Sequence, residues 1–192
     1  MFLLNNLFNK NTYKKVLTEK EINNWGEYTL DEVCEKITDG SHFSPKSEPS
    51  GYPYITVKDI KDDLIDFENS LRISKEDYLS LVNSGCQPLY GDVLFSKDGT
   101  VGKVSVVNFE KEFVVLSSLA ILRSNPKRIL PRLLFYVLKS PDLLNQALDQ
   151  KKGVAIRRII LRDLKKLEIK IPLSIDDQNL FVSKLDMIFS YC

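Results

Sequence analysis

The chain has 192 residues, 43% of them hydrophobic and 28% charged, with a formal net charge of +1. That is the composition of an ordinary globular chain, long enough to bury a core without covalent or metal staples. Its three cysteines, Cys34, Cys86 and Cys192, are odd in number and widely spaced, and its single histidine is His42, which argues against a disulfide framework or a zinc site, and a reducing, cytoplasmic home is expected.

The opening residues, MFLLNNLFNK, are split by Asn5 and Asn6 and carry no basic flank or small-residue cleavage site, so they are not read as a signal peptide. No apolar run reaches the length of a membrane span, and no membrane partner is expected. Residues 1–24 read as a polar, helix-compatible lead, and the domain opens at Trp25. TLDEVCEKI (29–37) predicts a short helix, with Thr29 and Glu32 as a capping box and Leu30, Val33 and Ile37 on one face. TDGSHFSPKSEPSG (38–51) is a loop. YPYITVKDI (52–60) predicts a strand, and DDLIDFENSLRI a loop with a short strand. SKEDYLSLV (74–82) predicts a helical turn capped by Ser74. GDVLFSKDGTVGKVSVV (91–107) predicts two strands around a tight turn at Asp98-Gly99. FVVLSSLAILRS (113–124) is a buried strand, or two. PRLLFYVLKS (131–140) and PDLLNQALDQKKG (141–153) predict helices, the first begun by Pro131 and the second stopped by Gly153. LRDLKKLEIKIP (161–172) predicts a helical turn and then a strand, and SIDDQNLFVSKLDMIF (174–189) an amphipathic helix.

Charge is unevenly spread. Residues 48–77 hold eight acids against four bases, and residues 119–166 hold twelve bases against three acids. KKGVAIRRIILRDLKK (151–166) has seven bases and one acid, a pattern that suits phosphate neutralisation or, more plainly, a solvated helix face. Gly99-Thr100-Val101-Gly102-Lys103 fails as a phosphate loop, because Lys97 stands where the first glycine belongs and Val104 where a Mg²⁺-binding hydroxyl belongs. Asp142, Asp149 and Lys151 follow the order of a metal-dependent nuclease motif. Both carboxylates fall on one predicted helix, whereas such a site is usually built on strands, so the nuclease stands as the alternative function. No cofactor loop and no methyltransferase tetrapeptide are present.

The order of motifs carries more. Trp25 and the TLDEV helix, the TDGSH loop, YPYITVKDI, YGDVLFSKDGTVGKV, SSLAILRSN, GVAIRRIILRDLKKLEIKIP and DDQNLFVSKLD together resemble a target recognition domain of the specificity (S) subunits of type I restriction–modification systems, over about residues 25–189. The resemblance implies an α+β fold, a twisted β-sheet with a hairpin plus several helices and a C-terminal helix stub. It divides the chain into a lead resembling the end of a spacer (1–24), a DNA-binding recognition domain (25–172) and the start of a spacer helix (173–192). It implies a non-catalytic chain that reads double-stranded DNA, half of a split target. The chain would direct methyltransferase (M) subunits that methylate adenine N6 from S-adenosylmethionine, with a restriction (R) subunit joining to cut. No cofactor is expected on this chain. With one recognition domain rather than two, the expectation is a half subunit or fragment, paired with a second half or with its own copy. Expected DNA contacts are Ser41, His42, Lys46, Lys58, Lys97, Asp98, Thr100, Lys103, Lys152, Arg157 and Arg158, with Lys97 at the turn tip on a phosphate or base edge. Leu180, Phe181, Leu185, Ile188 and Phe189 are expected to face a partner helix or an M subunit.

Overall fold

The computed structural model describes residues 24–149 and 158–190, so almost all of the expected lead lies outside the described residues. Strand β1 (Trp25–Thr29) pairs antiparallel with β11 (Glu168–Pro172), Trp25 opposite Pro172 and Thr29 opposite Glu168. Helix α1 (Leu30–Val33) follows at once. The Glu32 carboxylate accepts from the Thr29 N–H (2.7 Å) and hydroxyl (2.9 Å), which holds its pKa below the usual carboxylate range. The helix is one turn long, not the nine residues expected. From Cys34 the chain becomes strand β2 (Cys34–Asp39), because its backbone finds partners in the central strand β10 (Leu119–Ser124), Ile37 opposite Leu122. Leu30, Val33 and Ile37 still bury into one cluster: the apolar face was read correctly and its period was not.

The main sheet has the order β2-β10-β7-β8, all antiparallel, with β7 (Val93–Ser96) and β8 (Val104–Val106) joined by the residue 97–103 loop. Successive side chains of a strand point to opposite faces. Val93, Phe95, Ala120 and Leu122 enter one core, while Leu94, Leu119 and Ile121 enter another. Both faces of β7 and β10 are therefore buried, and their sequences read as apolar runs rather than alternations.

The first core is completed by α3 (Pro131–Leu138), α4 (Pro141–Asp149), α5 (Leu161–Lys165) and the long helix α6 (Ile175–Ser190). The second lies against β3 (Tyr52–Ile55) and β9 (Val114–Val115), which pair in parallel. The alternation repeats there. Ile55 and Val115 face the main sheet, whereas Tyr54 and Val114 face a third cluster under α2 (Lys75–Asn83). β6 (Leu71–Ile73) completes this second sheet, and β4 (Ile60–Lys61) and β5 (Leu64–Ile65) form a small hairpin whose turn, Asp62-Asp63, takes positive φ. The α+β architecture is as expected, and the 113–124 segment is two strands. The expected strand at 52–60 stops at Ile55. Asp59 accepts from the Thr56 N–H (2.7 Å) and hydroxyl (2.9 Å), which closes a 3₁₀ turn at Val57–Asp59.

The last helix belongs to this core. Phe181 and Leu185 are buried in it, Phe181 and Trp25 forming a T-shaped pair at 5.5 Å between ring centroids. Phe189 stacks on Tyr136, Ile188 is half-buried and Leu180 is 39% exposed. Phe181, Leu185 and Phe189 were expected to face a partner, and they pack instead on the chain's own helices and β1, since the sheet needs a second layer on that face. Among the described residues, no helix is long and apolar enough to cross a membrane. Cys34 and Cys86 are free, and burial pushes the Cys34 thiol up to about 12.

One surface carboxylate offers a direct titration. Asp66 accepts first from the Lys61 ammonium (2.6 Å) and then from Asn69, which hold its pKa at about 2 instead of 3.8. A depressed folded-state pKa contributes stability that is present at neutral pH and disappears as pH falls from about 4 through about 2. Carbon-detected NMR should find the Asp66 carboxyl titrating near pH 2. A midpoint near 4 would show that the Lys61 and Asn69 contacts do not form in solution.

Candidate nucleic-acid interface

At one end of the main sheet, β2 and β7 finish in loops that face each other. The residue 97–103 loop is longer than the tight turn expected, and Ser96 organises it. The Ser96 hydroxyl donates to the Thr100 carbonyl (2.6 Å) and accepts from the Lys103 N–H (2.7 Å), while Ser96 N–H donates to the Lys103 carbonyl (2.8 Å). Gly99 and Gly102 sit at φ +73° and +96°. At Gly102 a Cβ would stand 2.8 Å from Leu144 Cδ2, so the loop is seated against α4, and the φ of +96° disfavours any side chain there.

Lys97 does not project from this loop. Its side chain is 1% exposed and its Nζ lies 3.2 Å from Asp39 Oδ1, at the end of β2. That oxygen is buried and accepts no hydrogen bond of good geometry, so proximity of charge rather than a directed bond holds the pair. The expectation of a phosphate or base contact by Lys97 is therefore corrected. An ammonium emerging from a strand buried on both faces has no route to solvent, and it pairs with the nearest carboxylate. Lys103 is also committed. Its Nζ donates to the Val57 (3.1 Å) and Ile60 (2.7 Å) carbonyls, capping the 3₁₀ turn and binding the 56–60 segment to the loop. Ser41 is buried, with its hydroxyl in contact with both Phe43 N–H (3.0 Å) and Phe43 carbonyl (2.7 Å).

The remaining candidates stay on the surface around this framework. His42 is exposed, 3.4 Å from Asp39 Oδ2, so Asp39 bridges the loop after β2 to Lys97. Lys46, Lys58 and Thr100 are exposed. Arg158 reaches the same end, its Nε 3.7 Å from Asp98 Oδ2, and the Ile159 N–H donates to the Lys97 carbonyl (2.7 Å). Lys152 and Arg157 lie outside the described residues. The structure thus gathers Asp39 with His42, the 56–58 turn, the 97–103 loop and Arg158 at one end of the main sheet. Its rigid parts are a buried ion pair and a serine hub, and its exposed parts include the cations Lys58 and Arg158, the Thr100 hydroxyl, His42 and the Asp98 carboxylate. Sequence reading missed Ser96 and Asp39. For Ser96 the signal, a polar residue directly after a run buried on both faces, was present but is common.

The nuclease alternative gains no geometry. Asp142 is exposed in the first turn of α4, the Asp149 side chain and Lys151 lie outside the described residues, and among the described residues no group of three or more acidic, His or Cys side chains is placed to hold a metal.

Known structures fix the class of fold. The S subunit of a type I restriction–modification system from M. genitalium aligns over 91% of this chain and 41% of its own, with TM-score 0.63 and 20% identity. The HsdS subunit from Thermoanaerobacter tengcongensis aligns over 87% and 37%, with TM-score 0.58 and 22% identity. At such identities the likeness is one of fold. In sequence, residues 22–191 match the model of the Type I restriction modification DNA specificity domain, and the chain belongs to that family. It is 28% identical over 141 residues to the type I restriction enzyme EcoBI specificity subunit of Escherichia coli, covering 73% of this chain and 29% of that protein. It is 26% identical over 183 residues to the putative type I restriction enzyme MjaX specificity subunit of Methanocaldococcus jannaschii, covering 90% and 41%. The chain thus spans well under half the length of either relative. None of these comparisons supports a nuclease.

Proposed function

We propose that this chain is a single recognition unit of a type I restriction–modification specificity subunit, reading one half of a split duplex target without catalysing a step itself. The observation that carries the reading is the gathering of exposed His42, Lys58, Thr100 and Arg158 around the buried Lys97–Asp39 pair. Preset loops with exposed cations suit DNA, because phosphate contacts fix register while side chains at base edges select sequence. Adenine-N6 methylation, with its S-adenosylmethionine, belongs in this reading to M subunits, and cleavage to an R subunit, in the cytoplasm. Residues 25–172 form the reading domain, and the helix after Pro172 begins a spacer. A second half subunit or a second copy supplies the other half-site.

Selection from random duplex DNA by the purified chain, with and without its candidate M subunit, tests this. Enrichment of a defined half-site is expected, and a palindrome would show two copies reading together. If neither condition enriches a sequence while the M subunit still co-purifies with the chain, the specificity reading falls. Arg158→Ala should then weaken binding to all sequences alike and reduce the salt slope by about 1. Its stability should change little, since an exposed ion pair such as Arg158–Asp98 is worth about 0–1 kcal/mol. An unchanged salt slope would remove Arg158 from the phosphate contacts.

A further inference from the structure

We propose that Phe43 is a base-reading residue of this interface, packing its ring on the 5-methyl group of a thymine in the major groove; the inference rests on the DNA-reading function above. The Phe43 side chain is 62% exposed, among the most exposed large apolar side chains of the described residues. Single exposed apolar residues are ordinary on protein surfaces. What sets this one apart is its mounting. Its N–H donates to Ser41 Oγ (3.0 Å), and its carbonyl accepts from Ser41 Oγ (2.7 Å) and from Tyr54 Oη (2.9 Å). Ser41 and Tyr54 are both buried, at 4% and 2% exposure. The root of the loop is equally fixed, since a Cβ at Gly40 would stand 2.3 Å from the Val115 carbonyl oxygen.

The backbone at Phe43 is locked and the ring is exposed next to His42, whose contact with Asp39 ties this loop to the end of the sheet that carries Lys97, Asp98 and Arg158. Rigid mounting places a contact without an ordering cost at binding. Cations beside it suit the phosphates that flank a groove, and the one apolar group that duplex DNA offers in the major groove is the thymine methyl.

The test uses the full chain and its Phe43→Ala variant in the same selection, with thermal unfolding recorded for both. The wild type should enrich a half-site in which one thymine-bearing position loses its preference in the variant. Replacing that thymine by uracil should weaken the wild type roughly four-fold, the worth of one buried methyl group, and leave the variant unchanged. A wild type that enriches nothing overturns the DNA-reading function, and this inference with it. A wild-type half-site that Phe43→Ala retains at every position, or a uracil effect equal in both proteins, overturns the role of Phe43 alone. The first of these would fit a ring covered by a protein partner instead, and the second a methyl contact made by another residue.

Discussion

Asp39→Ala is expected to lower unfolding free energy by about 3 kcal/mol, at the lower end of the cost of breaking a buried ion pair from one side. The reason is the position of Lys97, whose ammonium, 1% exposed, loses the carboxylate that faces it at 3.2 Å. Asp39 itself keeps 21% of its side chain exposed, which is why the lower end applies. Lys97→Met should cost a similar amount, since it keeps the apolar stem but strands a carboxylate whose Oδ1 is buried. The double variant, Asp39→Ala with Lys97→Met, should recover most of the loss, because removing both charges also removes both desolvation costs. Denaturant unfolding of the three variants forms a double-mutant cycle. Costs that simply add would show that the pair does not interact. The cycle also bears on function. The pair joins the loop after β2 to the residue 97–103 loop, so the single variants should lose DNA affinity beyond what their lowered stability explains.

Gln178→Leu should be nearly as damaging, at about 3 kcal/mol, although Gln178 touches no part of the proposed interface. The side chain is fully buried, at 0% exposure. Its Oε1 accepts from the Leu130 N–H (3.0 Å), and its Nε2 donates to the Arg128 (2.8 Å) and Pro172 (2.9 Å) carbonyls. One glutamine on α6 therefore satisfies the residue before α3 and the last residue of β11. Leucine fills comparable space but strands three backbone groups, each worth about 1–3 kcal/mol when buried unpaired, with partial relief from rearrangement. Hydrogen exchange at the Leu130 amide should accelerate more than exchange within β10. An unchanged unfolding midpoint would mean that the three groups find other partners.

Gln178 also shows where sequence reading stopped. The helix at 174–189 was legible because Phe181, Leu185, Ile188 and Phe189 recur at helical spacing. Which surface that stripe covers was not, because periodicity identifies a face and says nothing of its neighbour. The stripe was expected to meet a partner, and Phe181 and Leu185 bury in the chain's own core. The short helix at Thr29 shows the same limit. Its cap was read correctly, but the ladder with β10 takes over at Cys34, since sheet partners offer more than helix propensity does.

At the candidate site, Asp98, Thr100 and Arg158 are brought together across sixty residues of sequence, and no local signal announces it. Lys97 is the sharper case. Its neighbours Asp98 and Gly99 look like a projecting turn, and Asp98 and Gly99 do lie at the surface, yet Lys97 is one residue too close to a strand buried on both faces.

By itself the sequence determined the ordered series of motifs, hence the family, the α+β class, most helix positions and the capping residues at Thr29 and Ser74. These depend on contacts within a few residues, or on a pattern spread along the chain, and both are written in residue order. The tertiary structure alone decided which charges are free. Lys97 and Lys103 were equal to Lys46 and Lys58 as cations in the sequence, and only packing turned the first two inward, onto Asp39 and onto the carbonyls of Val57 and Ile60. A charge is available to a ligand when nothing nearer has claimed it, and what lies nearest is set by strands that meet from distant parts of the chain.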